Sequence, residues 1–206
     1  MHWIVIPFRG PDGAKSRLAD VLDESRRMAL ALAMFKHVVA VATAAVDPGR
    51  VLIVTSSSEA VGVAQAAGAI ALRESSGALN GALSAARDFF LLSGARRATI
   101  LPADLPQLSQ ADVCAMLVLQ PGQVVIAPDR HGSGTNALTV PLDVDFHYAF
   151  GEGSLARHLQ EASRLGLDVS RVCRSGLACD LDTGEDLDLL PHDHWLRTVI
   201  SRPRAA

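Results

Sequence analysis

The sequence predicts a three-layer, doubly wound α/β domain with a mostly parallel sheet, and three observations carry that prediction. Short apolar runs such as Val51-Leu52-Ile53-Val54 lack polar alternation, so they read as strands buried on both faces, as a parallel sheet requires. Segments with apolar residues at helical spacing alternate with these runs, which implies right-handed crossovers. Loops rich in glycine, proline, aspartate and cations follow the strands at 8–18, 102–106 and 129–136, where such a sheet places its ligands.

The run Met1-His2-Trp3-Ile4-Val5-Ile6-Pro7 is the first strand, and the loop after it carries Arg9, Lys15 and Arg17. From Glu24 to about Ala45, Met28, Leu30, Leu32, Met34, Phe35, Val38, Val39 and Val41 recur at helical spacing, with Asp23 or Ser25 as the cap. Asp47-Pro48-Gly49 stops this helix, and the strand over 50–55 follows. Ser58 is expected to cap a short helix through Ala67, Gly68 to end it, and Ala69-Ile70-Ala71-Leu72 to form the third strand. A helix over 79–93 leads to the strand Ala98-Thr99-Ile100-Leu101, and Ser109 caps a helix through Leu119. Val124-Val125-Ile126 and the extended run 136–140 come next. The last third predicts a helix over 155–164, a strand over 169–172, a short helix through Leu190 and a terminal helix that frays.

A chain of 206 residues can bury a full core without staples and is read as a single domain, 1–206, with 192–206 as a C-terminal tail. Hydrophobic residues at 49% and charged residues at 20% describe a soluble globular chain, with no apolar run near the ~20 residues a membrane span needs. The N-terminus lacks a signal-like core, so the expected location is the cytoplasm, without membrane contact. Cys114, Cys173 and Cys179 are odd in number and lack C-x-x-C spacing, so reduced thiols in or near the core are expected. A net charge of −3 gives no basic face for nucleic acid, and an anionic ligand must be met by a few placed cations and backbone donors.

Asp104 stands near the mouth of a buried strand, between Pro102 and Pro106, where an ionised carboxylate needs a partner or a cation. Capping the next turn is its alternative use. Asp180 and Asp182 flank Leu181, and i,i+2 spacing in an extended segment puts both carboxylates on one side while Leu181 faces the core. Two acids on one side repel unless a cation lies between them. With Asp104 they compose a magnesium site, whereas Asp182-Thr183 could also cap the following helix.

Lys15 and Arg17 suit nucleotide phosphates or, alternatively, a solvated basic loop. Neither a P-loop nor a G-x-G-x-x-G follows the first strand, which speaks against a P-loop ATPase and a dinucleotide dehydrogenase. The stretch from Ala127 to Leu138 turns through Asp129, Arg130 and His131 and leaves through Gly132, Gly134, Thr135 and Asn136. It is either a plain hairpin turn or one that wraps an anion. No G-x-S-x-G elbow occurs, and Ser154 after Gly-Glu-Gly reads as a phosphate-binding helix start more than a nucleophile. His37 reads as packed or superficial, while His147, His158, His192 and His194 are scattered.

Several segments in order resemble the 2-phospho-L-lactate guanylyltransferase family, whose members include phosphoenolpyruvate and 3-phosphoglycerate guanylyltransferases of coenzyme F-420 biosynthesis. They are Ala14-Lys15-Ser16-Arg17-Leu18, Leu79-Asn80-Gly81-Ala82-Leu83, Leu101-Pro102-Ala103-Asp104-Leu105-Pro106 and Ala127-Pro128-Asp129-Arg130 with Gly132. Gly134-Thr135-Asn136-Ala137-Leu138, Phe150-Gly151 with Gly153-Ser154, and Asp180-Leu181-Asp182-Thr183 complete the set, which reaches to about Leu190. The resemblance implies a fold of the nucleotide-diphosphosugar transferase type and transfer of GMP from GTP to a small phosphorylated acid, with release of pyrophosphate.

It further implies magnesium on Asp104, Asp180 and Asp182, and acceptor contacts at Thr135, Gly151 and Ser154. Catalysis falls to Lys15, Arg17 and Asp104, and the nucleotide to these three with Asn80. A homodimer is compatible with family habit. The loop before Lys15, Arg9-Gly10-Pro11-Asp12-Gly13, departs from the commoner family pattern. Two other readings stand beside this one: a same-fold nucleotidyltransferase for a sugar phosphate or molybdopterin, and a non-catalytic nucleotide-binding domain.

Overall fold

Alternation along β1 (His2–Pro7) sets the layers: Ile4 and Ile6 face one core, Trp3 and Val5 the other, and all four are buried. The computed structural model describes residues 1–73, 79–118 and 120–201. After β1 come α1 (Glu24–Ala45), β2 (Val51–Thr55), α2 (Ser58–Ala66), β3 (Ile70–Arg73), α3 (Leu79–Leu92), β4 (Arg97–Ile100) and α4 (Gln110–Leu117). The chain continues through β5 (Gln123–Pro128), β6 (Thr135–Pro141), α5 (Ser154–Arg164), β7 (Asp168–Arg171), α6 (Ser175–Ala178), α7 (Gly184–Asp188) and α8 (Trp195–Ser201).

The strands form one seven-stranded sheet in the order β3-β2-β1-β4-β6-β5-β7. Helices α1, α2 and α4 pack on one face, and α3 and α5 on the other, so the expected three layers are present. Neighbouring strands run parallel except at β6, which is antiparallel to both β4 and β5. The chain winds outward from β1 through β2 to β3 and then returns to the opposite side of β1 as β4. Loops leaving β1 and β4 therefore part at the switch point, which opens a crevice at the carboxyl ends of the strands. Because β6 runs backwards, its first residue, Thr135, lies at this same rim.

Local chemistry refines several expectations. Asp23, rather than Ser25, caps α1, its carboxylate accepting the Arg26 N–H at 2.9 Å. Ser57, not Ser58, caps α2, because its hydroxyl oxygen accepts the Ala60 N–H. Helix α4 ends at Leu117, and Leu119 lies outside the described residues, as do 202–206 of the expected frayed tail. The cysteines are not core thiols: Cys114 and Cys173 are exposed and Cys179 is half-buried. On α4, Asp112, Val113 and Met116 take the buried face and leave Cys114 outside, while Cys173 follows the exposed edge strand β7.

Helix α1 is, contrary to expectation, long and apolar enough by length and composition to cross a membrane, since few charges interrupt its 22 residues. Its buried residues Phe35, Val38, Val39 and Ala42 belong to the core beneath the sheet.

A polar chain crosses the sheet. Thr139 Oγ1 donates to the Met116 carbonyl at 2.8 Å, so it accepts from Thr99 Oγ1 at 2.7 Å, which in turn accepts from His2 Nε2 at 2.8 Å. Burial, with Arg97 and the N-terminal ammonium, lowers the His2 pKa to about 4. The folded value lies below the ordinary 6.5, so its contribution is complete above about 6.5 and is lost as pH falls toward about 4. Urea denaturation should show stability rising with pH across that window, with a smaller slope in His2→Gln; an unchanged slope refutes this linkage.

Candidate functional site

Lys15 opens the site from the loop after β1. It is the one non-glycine residue with positive φ, 54°, among the described residues, and this left-handed turn introduces the short helical turn Ser16–Leu18. Its ammonium donates to Asp104 Oδ2 at 2.7 Å and to Asp182 Oδ1 at 2.6 Å. Burial opposes the charge on Lys15, but the two carboxylates outweigh it and hold the pKa above the usual lysine value.

The acids are brought together by backbone and apolar contacts as well as by charge. The Leu181 N–H donates to the Asp104 carbonyl at 3.1 Å. Leu181 is buried with Leu18, Leu22, Leu30 and Met34, as its place between two outward acids predicts. Leu18 belongs to the same turn as Lys15, so one apolar cluster anchors the cation and Asp182, while the Leu181 N–H ties in Asp104. From the other side, Asp186 Oδ2 accepts the N–H groups of Asp182 at 2.9 Å and Thr183 at 2.7 Å. Thr183 does cap α7, in a reciprocal capping box with Asp186, while Asp182 accepts from the Lys15 ammonium. Arg130 pairs with Asp186, tying the 129–134 turn to the acidic segment.

Asp180 is reached by Asn136, whose amide donates to Asp180 Oδ1 at 3.1 Å and to the Leu177 carbonyl at 2.9 Å. Burial first, and then the charge of Asp104, raises the Asp180 pKa despite that bond. Asp104 Oδ1 is itself buried with no hydrogen-bond partner among the described residues. Both observations mark a shortage of positive charge between Asp104 and Asp180, which a divalent cation would meet. The three aspartates line one cavity, but no three acids, histidines or cysteines stand at metal-holding spacing among the described residues. Lys15 already occupies the position between Asp104 and Asp182.

Two cavities meet at Asp104. The larger, about 660 Å³, is lined by Arg17, Thr135, Gly151, Ser154, Asp180 and Asp182 as well. The other, about 400 Å³, lies under the first loop and is lined by Phe8, Gly10, Gly13, Lys15 and Met34 among others. Pro7, Leu79, Pro102 and Asp104 form walls of both. Arg17 is exposed at the mouth and makes no ion pair among the described residues. Asn80 lines neither chamber; its side-chain oxygen accepts the Phe150 N–H at 3.2 Å, beside a third cavity of about 370 Å³.

The 129–134 turn is a hairpin between β5 and β6, and its Asp129, Ser133 and Gly134 also wall the larger cavity. Asp129 Oδ1 accepts the Ser133 N–H at 2.9 Å, and a Cβ on Gly134 would lie 2.7 Å from Asp129 Oδ2. Beyond it, the Thr135 N–H donates to Ser154 Oγ at 2.8 Å, and Thr135 Oγ1 lies 3.0 Å from His158 Nδ1. His158, one of several histidines scattered along the sequence, is fully buried. Its spacing from Leu155 and Ala162, one helical face, was the available signal. Asn136 was visible only as part of a motif, because nothing local foretells that it reaches Asp180.

Residues 2–194 match the family described as "Guanylyl transferase CofC like". The chain is 43% identical over 186 residues to the phosphoenolpyruvate guanylyltransferase of Rubrobacter xylanophilus, covering 89% of this chain and 90% of that protein. It is 38% identical over 191 residues to the 3-phospho-D-glycerate guanylyltransferase of Phenylobacterium zucineum, covering 88% and 86%. Among solved structures, a nucleotidyl transferase from Methanothermobacter superposes with a TM-score of 0.67 at 19% identity, covering 96% of this chain and 99% of that one. A doubly wound sheet whose cation-and-acid cluster sits at the switch point, with these relatives, defines a nucleotidyltransferase. Within that class the chain belongs to the CofC-like guanylyl transferase family.

Leu181→Ala should cost about 2–5 kcal/mol of stability, as buried leucine truncations do. Guanidinium denaturation of the purified variant checks this, and a loss below about 1 kcal/mol would show that the cluster does not anchor the acids.

Proposed function

We propose that the protein transfers GMP from GTP to a small phosphorylated carboxylic acid, with release of pyrophosphate, in biosynthesis of coenzyme F-420. The observation that carries this reading is the pair of cavities sharing Asp104 as a wall, one beneath the Lys15 loop and the other bordered by Thr135, Gly151 and Ser154. The first takes the nucleotide and the second the acceptor. The relatives' activities on phosphoenolpyruvate and 3-phospho-D-glycerate support an acceptor of that class.

In the reaction, an oxygen of the acceptor's phosphate attacks the α-phosphorus of GTP. The new P–O bond forms as the bond from the α-phosphorus to the bridging oxygen breaks, and that electron pair leaves with pyrophosphate. A phosphate monoester has its second pKa near ~6, so the nucleophile is already largely ionised at neutral pH and needs no strong base. The protein's part is to position two anions and offset their charge. Arg17 stands free at the mouth to meet phosphate oxygens, and Lys15 holds Asp104 against Asp182 while contributing its charge to the nucleotide chamber. Asp104 and Asp180, the pair left short of positive charge, would hold magnesium beside Asp182, which Lys15 already meets, and the ion when bound supplies further neutralisation of phosphate oxygens. Thr135 and Ser154 present hydroxyls to the acceptor, and Gly151 lets the backbone approach it. Asn80 acts by holding the Phe150 backbone, and so shapes the acceptor loop rather than the nucleotide chamber.

Mass spectrometry of the product formed from GTP with phosphoenolpyruvate, 3-phosphoglycerate and 2-phospho-L-lactate tests the proposal. A guanylylated phosphoacid is expected from at least one of them; turnover only with sugar phosphates, or none at all, refutes it. Asp104→Asn should lower kcat by at least about 100-fold while the circular dichroism spectrum is kept. Near-normal pyrophosphate release would remove Asp104 from the chemistry. Thr135→Val should raise KM for the acceptor about tenfold and leave KM for GTP unchanged, whereas equal losses would refute the division into two chambers.

A further inference from the structure

We propose that His158 is a positioning residue that commits the Thr135 hydroxyl to donate its hydrogen into the acceptor chamber, an inference that rests on the acceptor assignment above. The Ala149 N–H lies 3.1 Å from His158 Nε2. A backbone amide can only donate, so Nε2 must be the bare nitrogen of the ring. The neutral ring then carries its hydrogen on Nδ1, which points at Thr135 Oγ1 3.0 Å away. Thr135 Oγ1 thus accepts from His158, and its own hydrogen remains to be given. No acceptor for that hydrogen occurs among the described residues, while Thr135 lines the larger cavity.

Ser154 repeats the arrangement. Its hydroxyl oxygen accepts the Thr135 N–H at 2.8 Å, so its hydrogen is likewise left over beside the same cavity. Two neighbouring hydroxyls whose acceptor sides face protein N–H groups form a pair of donors. Such a pair favours an oxygen that only accepts, as in an ionised phosphate or carboxylate, over a neutral group that must also donate.

The ring is held rigidly enough for this. His158 is completely buried, with Phe150 edge-on at a centroid distance of 4.8 Å and Phe146 at 6.0 Å. Arg157 grips the carbonyl of the same residue, donating to Ala149 O from Nε at 3.2 Å and from Nη2 at 3.0 Å. The histidine therefore joins the start of β6 to the loop that carries Gly151. Burial, with Arg157 beside it, lowers its pKa to about 4, so the neutral ring persists at neutral pH.

Long-range ¹H–¹⁵N correlation of the His158 ring in the whole protein reads the tautomer directly. Hydrogen on Nδ1 with a bare Nε2 is expected across pH 6–8, and hydrogen on Nε2 or a charged ring overturns the proposal. Kinetics with GTP and phosphoenolpyruvate give the second readout. His158→Gln can still accept from Ala149 but no longer donates to Thr135, and it should raise KM for phosphoenolpyruvate about tenfold with KM for GTP within about twofold. His158→Asn places an amide N–H where Nδ1 stood and should restore KM to within about threefold of the parent. Equal losses in the two variants, or a loss shared by GTP, would reduce His158 to a packing role and overturn the inference. Thr135→Val separates the layers of the argument: if it leaves phosphoenolpyruvate use intact, the acceptor assignment itself fails. If it raises KM and His158→Gln does not, only the role of His158 fails.

Discussion

The Lys15 ammonium between Asp104 and Asp182 is the contact on which the mouth of the sheet depends. Two carboxylates aimed at one small space would repel each other, and a buried lysine alone would shed its charge. Together they are stable at the crevice between the loops of β1 and β4, the point where the winding of the sheet reverses. Three weaker devices make the meeting reproducible: Leu181 bonded to the Asp104 carbonyl, Leu18 and Leu181 in one cluster, and Asp186 holding the Asp182 backbone. The charges decide the chemistry, while apolar packing and backbone bonds decide where the charges stand.

The reversed strand β6 supplies the other half of the site. In a wholly parallel sheet the start of a strand lies at the opposite rim from the carboxyl ends. Reversal brings Thr135 and Asn136 to the rim where the parallel strands end, so Thr135 lines the larger cavity and Asn136 reaches Asp180. The 129–134 turn is thereby both the hairpin that makes the reversal and a wall of the chamber it creates. A Cβ at Gly134 would crowd the carboxylate of Asp129, which holds the Ser133 N–H.

Much of this was legible in the residues because it is locally encoded. Uniform apolar runs announced β2 and β5, helical spacing announced α1, and i,i+2 acids around a leucine announced a segment with one wet and one buried side. The direction of β6 was legible only in the hairpin reading of the 129–134 turn, since the extended run itself looks the same in either direction and its pairing partners decide. The sharing of Lys15 by two aspartates was equally hidden: a cation in a glycine loop has the same sequence whether it waits for a phosphate or is already paired. His158 escaped notice for a related reason. Its role consists of two hydrogen bonds, to Ala149 and Thr135, and the spacing along α5 reveals only that it faces inward.

The separation of the three charged partners has a consequence for the chain as it is made. Lys15 precedes Asp104 by 89 residues and Asp182 by 167. At ~5–20 residues per second, a growing chain exposes the cation roughly 8–30 s before its second aspartate has been synthesised. The central strands can pair in that interval, but the charged mouth cannot close. The nascent protein therefore passes through a stage in which Lys15 has been made and the carboxylate of Asp182 has not. The charged mouth closes as one late event, with the segment that carries Asp180, Leu181 and Asp182.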